Sequence, residues 1–324
     1  MRNYIIRRLL LVIPTLFLVS IIIFLAIRLI PGDIVDLLLE NVEATALYTE
    51  EQVEELVNEI EEMIGIDKPI YVQYGVWIGN LILHGDLGAS FWKHNTVMEL
   101  ILSRLPVTFE LGLLGLILSQ LIALPIGVFS ALRQDTWGDY LARSFGILCI
   151  AIPSFWLATM VIVFGSIYVG WSPPILIVPF SEDPIANLNI YLLPALLLGM
   201  AVSGSTMRMT RAMMLEVLRQ DYIRTAWAKG LRERVVVIRH AMKNAFIPVV
   251  TIIGARLSML VGGTVIIEKI FALPGMGRLL LDAVDDRDYP IVSGVMLFLG
   301  FFLVFSNFIV DLLYAYLDPR IHYK

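Results

Sequence analysis

Among the residues that could do chemistry in this chain, a group of basic ones clusters in residues 208–244, called here the basic segment. A cluster of this kind can bind the phosphates of a membrane surface or contact another protein. At its centre, Asp221–Gly230 combines small residues with a glycine that can end a helix, which predicts a short helix that a partner could approach closely. The segment holds nine basic residues, Arg208, Arg211, Arg219, Arg224, Lys229, Arg232, Arg234, Arg239 and Lys243, against the acids Glu216, Asp221 and Glu233.

Sequence motifs for catalysis are absent. The sequence contains no G-x-x-x-x-G-K-[ST] phosphate-binding loop, no H-E-x-x-H spacing among its four histidines, and no serine or cysteine triad signature. A single cysteine, Cys149, excludes both a disulfide framework and a cysteine metal site within the chain. The sequence therefore predicts a protein that is not an enzyme and that has no metal site or cofactor of its own.

One charged residue, Arg256, lies near the middle of the apolar run Phe246–Ile267. A charge at that depth in a membrane costs at least about 2.5 kcal/mol on insertion scales and usually faces a cavity or a partner. Two interpretations stay open. Arg256 lines a translocation path and meets a carboxylate of a solute, or it pairs with Glu110 or Asp311 of other apolar runs or with a partner subunit.

The composition indicates that membrane helices position these residues. Hydrophobic residues make up 58% of the chain, charged residues 16%, and the mean hydropathy is +0.80, well above the balance of a soluble domain. Six apolar runs can each cross about 30 Å of hydrocarbon as a helix. The predicted fold is an all-α integral membrane protein with six transmembrane helices. The runs are Leu9–Ile27, Leu111–Leu132, Ser144–Val169, Tyr191–Met207, Phe246–Ile267 and Ile291–Tyr314.

The distribution of Lys and Arg predicts the orientation of these helices. Basic residues occupy the N-terminus, residues 133–143, the basic segment and the tail 318–324, whereas residues 31–103 carry 14 acids and two lysines. We therefore expect both termini and the basic segment in the cytoplasm.

The acidic segment after the first helix is predicted to fold outside the membrane. Thr49–Gln52 is a capping box, and Val53–Ile64 carries apolar residues at helical spacing. This amphipathic helix either belongs to a surface that receives a delivered solute or its carrier, or it covers the ends of the membrane helices. The predicted domains are the cytoplasmic N-terminus with the first span (1–30), the extracytoplasmic segment (31–104) and the core transmembrane domain (105–324), which includes a cytoplasmic loop at 208–245.

Short motifs along the whole chain accompany two stretches of the basic segment, Leu215–Leu231 and Arg239–Ala245. They are Arg7–Leu9, Pro31–Asp33, Gly65–Pro69, Gln73–Trp77, Gly85–Ser90, Arg104–Pro106, Ile152–Trp156, Pro274–Gly277, Arg287–Pro290 and Leu317–Ile321. Together these residues resemble the permease subunits of binding-protein-dependent ABC importers, in the dipeptide, oligopeptide and nickel branch. The two stretches resemble the cytoplasmic "EAA" loop of those permeases.

This resemblance implies a fold and a set of partners. The fold is six transmembrane helices with an extracytoplasmic insertion after helix 1 and an EAA coupling loop between helices 4 and 5. The partners are a second homologous permease subunit in a heterodimer, two cytoplasmic ATPase subunits that bind ATP and Mg, and an extracytoplasmic solute-binding protein. The chain would form half of a pathway that imports di- and oligopeptides by alternating access across a prokaryotic plasma (inner) membrane. Nucleic acid is not among the implied partners.

The resemblance also assigns the residues that dock the ATPase subunits: Arg224, Thr225, Ala226, Lys229, Gly230 and Leu231. Because Ala226 and Gly230 are four residues apart, we expect them on one helix face with little bulk. Three positions depart from the wider EAA pattern. Arg224 replaces a glutamate and His240–Lys243 replaces Ile-x-Leu-Pro, both features of the peptide branch, and Trp227 stands where a basic residue is expected.

Other functions stay open from the sequence. A permease for a nickel complex or an oligosaccharide fits the same motifs, although the predicted spans hold no cluster of His, Cys or carboxylates suited to nickel. A secondary transporter would work without ATP and would usually show internal inverted repeats, which the sequence lacks. The basic segment, taken alone, could also be an ordinary cytoplasmic loop that contacts lipid phosphates.

Overall fold

The computed structural model describes residues 2–29, 68–93, 95–174, 176–256 and 262–317. In these ranges all regular secondary structure is helical, which confirms the predicted all-α class. Four of the described helices are long and apolar enough to cross a membrane, and a pair of shorter helices joined at a bend of 93° is a fifth candidate. The described residues therefore account for four or five of the six predicted spans.

Twelve α-helices lie in the described ranges. In chain order they are α1 (Arg2–Arg28), α2 (Ile70–His84), α3 (Val97–Leu132), α4 (Trp137–Ala151), α5 (Ser154–Phe164), α6 (Pro184–Leu218), α7 (Asp221–Ala228), α8 (Glu233–Val235), α9 (Met242–Arg256), α10 (Val265–Ile270), α11 (Met276–Asp285) and α12 (Tyr289–Leu317). Two π-helical segments extend this set: Gly165–Val169 continues α5, and Val236–Ala241 connects α8 to α9.

The chain forms two compact units. Of the described residues, the first unit takes those within Met1–Ile13, Arg104–Leu279 and Phe301–Lys324. The second takes those within Pro14–Ser103 and Leu280–Gly300. The basic segment belongs wholly to the first unit.

The first and last predicted spans are confirmed as helices. Leu9–Ile27 lies within α1, and Ile291–Tyr314 lies within α12. The fifth predicted span, Phe246–Ile267, corresponds to most of α9 and the start of α10, with residues 257–261 outside the described ranges. The predicted amphipathic helix at Thr49–Ile64 also lies outside them.

Helix α3 begins at Val97, well before the predicted start of the second span. The reason is a capping box: the Glu99 carboxylate accepts a hydrogen bond from the Thr96 N–H at 3.1 Å, and the Thr96 hydroxyl accepts one from the Glu99 N–H at 3.3 Å. The helix then continues without a break through Arg104.

Helix α6 is also longer than predicted, because hydropathy marks the apolar part of a helix and not its ends. The Asp183 carboxylate caps its N-terminus by accepting hydrogen bonds from the N–H groups of Ile185 and Ala186, both at 3.0 Å. At the other end α6 extends past Met207 to Leu218. Residues 208–218, predicted as loop, are therefore helical.

The predicted third span, Ser144–Val169, is not one helix. It consists of α4 and then α5 with its π-helical extension, bent by 93° at Ile152 and Pro153. Proline disfavours a helical conformation at the residue before it, and Ile152 accordingly has extended backbone angles (φ −87°, ψ 120°).

Helix α6 is the central element of the first unit and packs against α4, α5 and α9. Its glycines permit very close contacts. A Cβ at Gly199 would lie 2.5 Å from the carbonyl oxygen of Gly115 in α3, and a Cβ at Gly204 would lie 2.5 Å from that of Gly146 in α4. Small residues on α6 therefore let the helices approach backbone to backbone.

A turn that begins at Phe271 joins α10 to α11. The buried Glu268 carboxylate accepts hydrogen bonds from the Thr108 hydroxyl at 2.7 Å and from the Arg278 N–H at 3.1 Å. A Cβ at Gly275 would overlap that carboxylate. The carboxylate thus holds the turn from inside, and only glycine fits beside it.

In the second unit, α2 packs against α1 through aromatic and hydroxyl contacts. The hydroxyls of Ser20 and Tyr74 are 2.8 Å apart, and the ring of Phe24 lies 5.4 Å from that of Tyr74. Near the start of α12, the Asp288 carboxylate accepts a hydrogen bond from the Ser90 hydroxyl. These contacts fix the described part of the segment that follows α1.

Candidate functional site

Helix α7 occupies the centre of the basic segment, and a glycine ends it as predicted. Gly230 has φ +74°, in the left-handed region that favours glycine. Its N–H donates to the Trp227 carbonyl at 2.9 Å, and the Lys229 N–H donates to the Thr225 carbonyl at 3.1 Å. These two hydrogen bonds pair carbonyl groups that would otherwise lack a hydrogen-bond donor at the end of the helix.

One face of α7 is buried inside the chain. Ile223 is 0% exposed and Ala226 is 6% exposed. Both belong to an apolar cluster that the end of α3, the end of α6 and the beginning of α9 also form. The other members are Val128, Ala131, Met214, Val236, Val237, Ala241 and Ala245. The inner face of α7 is therefore attached to three longer helices of the same unit.

The other predicted docking residues lie outside that cluster or at its edge. Arg224, Thr225, Lys229 and Gly230 are exposed, and Leu231 is partly buried against the cluster. The expectation that Ala226 shares a helix face with Gly230 is wrong. Helix α7 ends at residue 228, so Gly230 lies beyond the helix, and Ala226 points inward.

A polar contact holds the outer side of α7 to α9. The Asn244 amide donates to the Tyr222 hydroxyl at 2.8 Å. Sequence analysis missed this pair because no short-range rule links residues so far apart in the chain. By contrast, the ion pair between Arg224 and Asp221 is long, at 3.4 Å, and solvent-exposed, so it contributes little to stability.

The surface around α7 is strongly basic. Of the nine basic residues in the segment, all except Arg211 have exposed side chains. The exposed ones are Arg208, Arg219, Arg224, Lys229, Arg232, Arg234, Arg239 and Lys243. The segment thus presents a cationic surface with a small polar helix at its centre.

Arg211 instead forms a bidentate ion pair with the fully buried Asp139 of α4. Its Nε donates to Oδ1 at 2.8 Å and its Nη2 to Oδ2 at 2.7 Å. Asp139 also accepts hydrogen bonds from the Ser130 hydroxyl and the Asp135 N–H. This network was not predicted from the sequence, although the two acids between Arg133 and Arg143 were an available signal.

Arg256, the candidate residue of the translocation path, is the last residue of α9. It is partly buried and takes part in an interaction within the chain. Asp311, one of the partners considered for it, forms an ion pair with Arg8 at 2.7 Å. Both α9 and this ion pair belong to the first unit.

Comparison with known families identifies the class of protein. Residues 123–323 match the family described as "Binding-protein-dependent transport system inner membrane component", and residues 1–112 match its N-terminal counterpart. The chain belongs to this family. It is the permease component of a binding-protein-dependent ABC transport system in an inner membrane, and not the catalytic component.

Similar proteins indicate the branch of the family to which the chain belongs. A protein of Brucella suis biovar 1 (strain 1330) named as a peptide transport system permease is 42% identical over 323 residues, covering 100% of both chains. The glutathione transport system permease protein GsiC of Escherichia coli (strain K12) is 38% identical over 324 residues, again covering 100% of both. A crystal structure of an amino acid ABC transporter with histidines is more distant, with 15% identity and a TM-score of 0.49 over 68% of this chain and 94% of that one.

Proposed function

We propose that this chain forms half of a translocation pathway that imports di- or oligopeptides by alternating access. A second, homologous permease subunit supplies the other half, and an extracytoplasmic binding protein delivers the solute. Two cytoplasmic ATPase subunits bind ATP and Mg and power the cycle. The similarity to relatives named for peptide and glutathione transport supports a peptide substrate. In this arrangement both termini and the basic segment are cytoplasmic.

The two-sided environment of α7 is the observation that carries the proposal. Its outer side offers Arg224, Thr225, Lys229 and Gly230 to a partner, with Leu231 at the edge. Its inner side, through Ile223 and Ala226, is packed on the helices of the same unit. A partner that moves α7 must therefore move those helices as well, because close-packed interfaces transmit displacement and do not absorb it.

The route from α7 into the apolar part of the unit is direct. Val236 and Val237, which contact the inner face of α7, lie in the π-helical segment that leads without a break into α9. Segments of π-helix are rare and often occur at functional positions. We assign to this segment the transfer of movement from the ATPase subunits to α9, whose last residue is Arg256.

A bulky residue at Gly230 tests the docking assignment. No atom lies within 4 Å of a Cβ built at the exposed Gly230, so the Trp side chain of Gly230→Trp starts in open space, where it would collide with a docked ATPase subunit. We expect the two permease subunits to copurify normally while ATP-driven uptake is lost. The measurement is uptake per ATP hydrolysed in proteoliposomes that contain the complete transporter.

Gly85→Trp is the matched control for backbone strain. Gly85 has φ +66° and also has no atom within 4 Å of a built Cβ, but it lies in the second unit, at the end of α2. A left-handed conformation costs a non-glycine residue roughly 1–2 kcal/mol at either site. We expect Gly85→Trp to retain the ATPase subunits on purification. Undiminished uptake by Gly230→Trp would disprove the docking assignment.

The substrate needs a separate test, because permeases for nickel complexes or oligosaccharides remain alternatives. The solute-binding protein that works with this permease should be purified without added ligand and its bound solute identified by mass spectrometry. We expect short peptides. Recovery of a metal complex or a sugar would replace the peptide assignment and leave the docking assignment intact.

A further inference from the structure

A half-open cavity with a cationic lining lies between α4 and α6 in the first unit. It has a volume of about 330 Å³ and is lined by Arg143, Ile147, Arg208 and Arg211. Its α6 residues, Arg208 and Arg211, lie in the C-terminal third of that helix, which α7 follows. None of the docking residues proposed above lines it.

The charges in this cavity are only partly balanced. Asp139 neutralises Arg211 through their bidentate ion pair. Among the residues that the structure describes, neither Arg143 nor Arg208 forms an ion pair with a carboxylate. The Arg143 guanidinium lies 5.7 Å from the centre of the Tyr140 ring, a contact that orients it without cancelling its charge. Two positive charges therefore remain for an anionic ligand.

The side chains along the first turns of α4 are of types that occur at a membrane surface. Trp137 (84% exposed) and Tyr140 (49% exposed) lie in the first turn, and Trp and Tyr concentrate where headgroups meet the acyl region. Arg143 follows about one turn later. Ile147, another turn on, is exposed and apolar. The step of four positions from Arg143 to Ile147 corresponds to about 6 Å along the helix axis.

We propose that this cavity binds one anionic phospholipid. The guanidiniums of Arg143 and Arg208 hold the phosphodiester, and Ile147 contacts the start of an acyl chain. Basic pockets between membrane helices suit such headgroups, and arginine donors match the geometry of phosphate oxygens. The apolar neighbour and the exposed interfacial aromatics favour a lipid over free phosphate or an acidic protein segment. Bound there, the lipid bridges α4 and α6 beside the ion pair of Asp139 with Arg211.

Native mass spectrometry of the complete transporter tests this site. The purified complex is titrated in detergent with phosphatidylglycerol, and in parallel with phosphatidylcholine and with inorganic phosphate. The test variant is Arg143→Gln/Arg208→Gln. The control is Arg133→Gln/Arg219→Gln, which removes two exposed arginines near the same ends of α4 and α6 but outside the cavity.

We expect wild type to retain one phosphatidylglycerol more firmly than phosphatidylcholine. The cavity variant should bind it about 30-fold more weakly, the effect of losing two charge contacts of about 1 kcal/mol each, and the control should change less than twofold. Three results would overturn the proposal: equal retention of both lipids, equal loss in both variants, or displacement of the lipid by inorganic phosphate at matched concentration. Loss of a partner subunit from the cavity variant alone would also overturn it, by showing a protein contact there.

Discussion

At the scale of single residues, Asp139 has the clearest structural role. It is fully buried, and its two carboxylate oxygens accept hydrogen bonds from Nε and Nη2 of Arg211. This ion pair joins α4 to α6. Breaking a buried ion pair by removing one partner typically costs 3–5 kcal/mol, because the other charge is left uncompensated. The Arg211 side chain is 20% exposed, so water can partly solvate its charge. We therefore expect Asp139→Asn to lower the free energy of unfolding by about 3 kcal/mol, near the lower end of that range. The unfolding midpoint of the purified transporter in detergent measures this loss.

An exposed acid of the same segment provides the comparison for that variant. Asp221 also pairs with an arginine, Arg224, but at 3.4 Å and with a side chain that is 96% exposed. Exposed pairs contribute little, so Asp221→Asn should leave the midpoint unchanged. Equal midpoints for Asp139→Asn and Asp221→Asn would show that the buried ion pair does not stabilise the contact between α4 and α6.

Single residues also show what local sequence can and cannot predict. The role of Gly230 at the end of a helix was predictable, because few residues other than glycine adopt a left-handed conformation cheaply. The inward direction of Ala226 was not, because it depends on where Val236 and Val237 lie in three dimensions. The link between Tyr222 and Asn244 escaped prediction for the same reason.

At the scale of elements, the contact between α7 and the π-helical segment should determine coupling. Ala226 is 6% exposed within the apolar cluster, so a larger side chain there must push α7 outward. Overpacking of this kind typically costs 1–3 kcal/mol. We expect Ala226→Leu to lower the number of solute molecules moved per ATP hydrolysed while ATP hydrolysis persists. The measurement compares uptake and hydrolysis in the same proteoliposomes.

Ala228→Leu makes the same chemical change on the exposed side of α7. It adds the same volume two residues away without entering the cluster. Its ratio of uptake to hydrolysis should therefore match that of wild type more closely than the ratio of Ala226→Leu does. If both variants couple normally, α7 does not transmit movement through its inner face.

The elements differ in how well the sequence predicted them. Helices α1 and α12 were found because each contains a long unbroken apolar run, which the membrane environment requires. Helices α3 and α6 were underestimated, because their ends depend on Thr96, Glu99 and Asp183 and on the helical continuation past Met207, which hydropathy does not register. The 93° bend at Pro153 was not predicted, because Ser144–Val169 is predominantly apolar and hydropathy does not register a change of helix direction.

At the scale of the whole molecule, we expect that the isolated chain cannot drive uphill transport. Its sequence has no phosphate-binding loop for ATP, and it belongs to a family of permease components. A conformational equilibrium shifts only as far as a ligand or partner favours one state over the other. Proteoliposomes with this chain alone should therefore never concentrate a peptide, whereas those with both permease subunits, the ATPase subunits, the binding protein and internal ATP should do so. Accumulation above the external concentration by this chain alone would instead identify a secondary transporter, and a complete set that concentrates no peptide even with ATP would exclude peptide import.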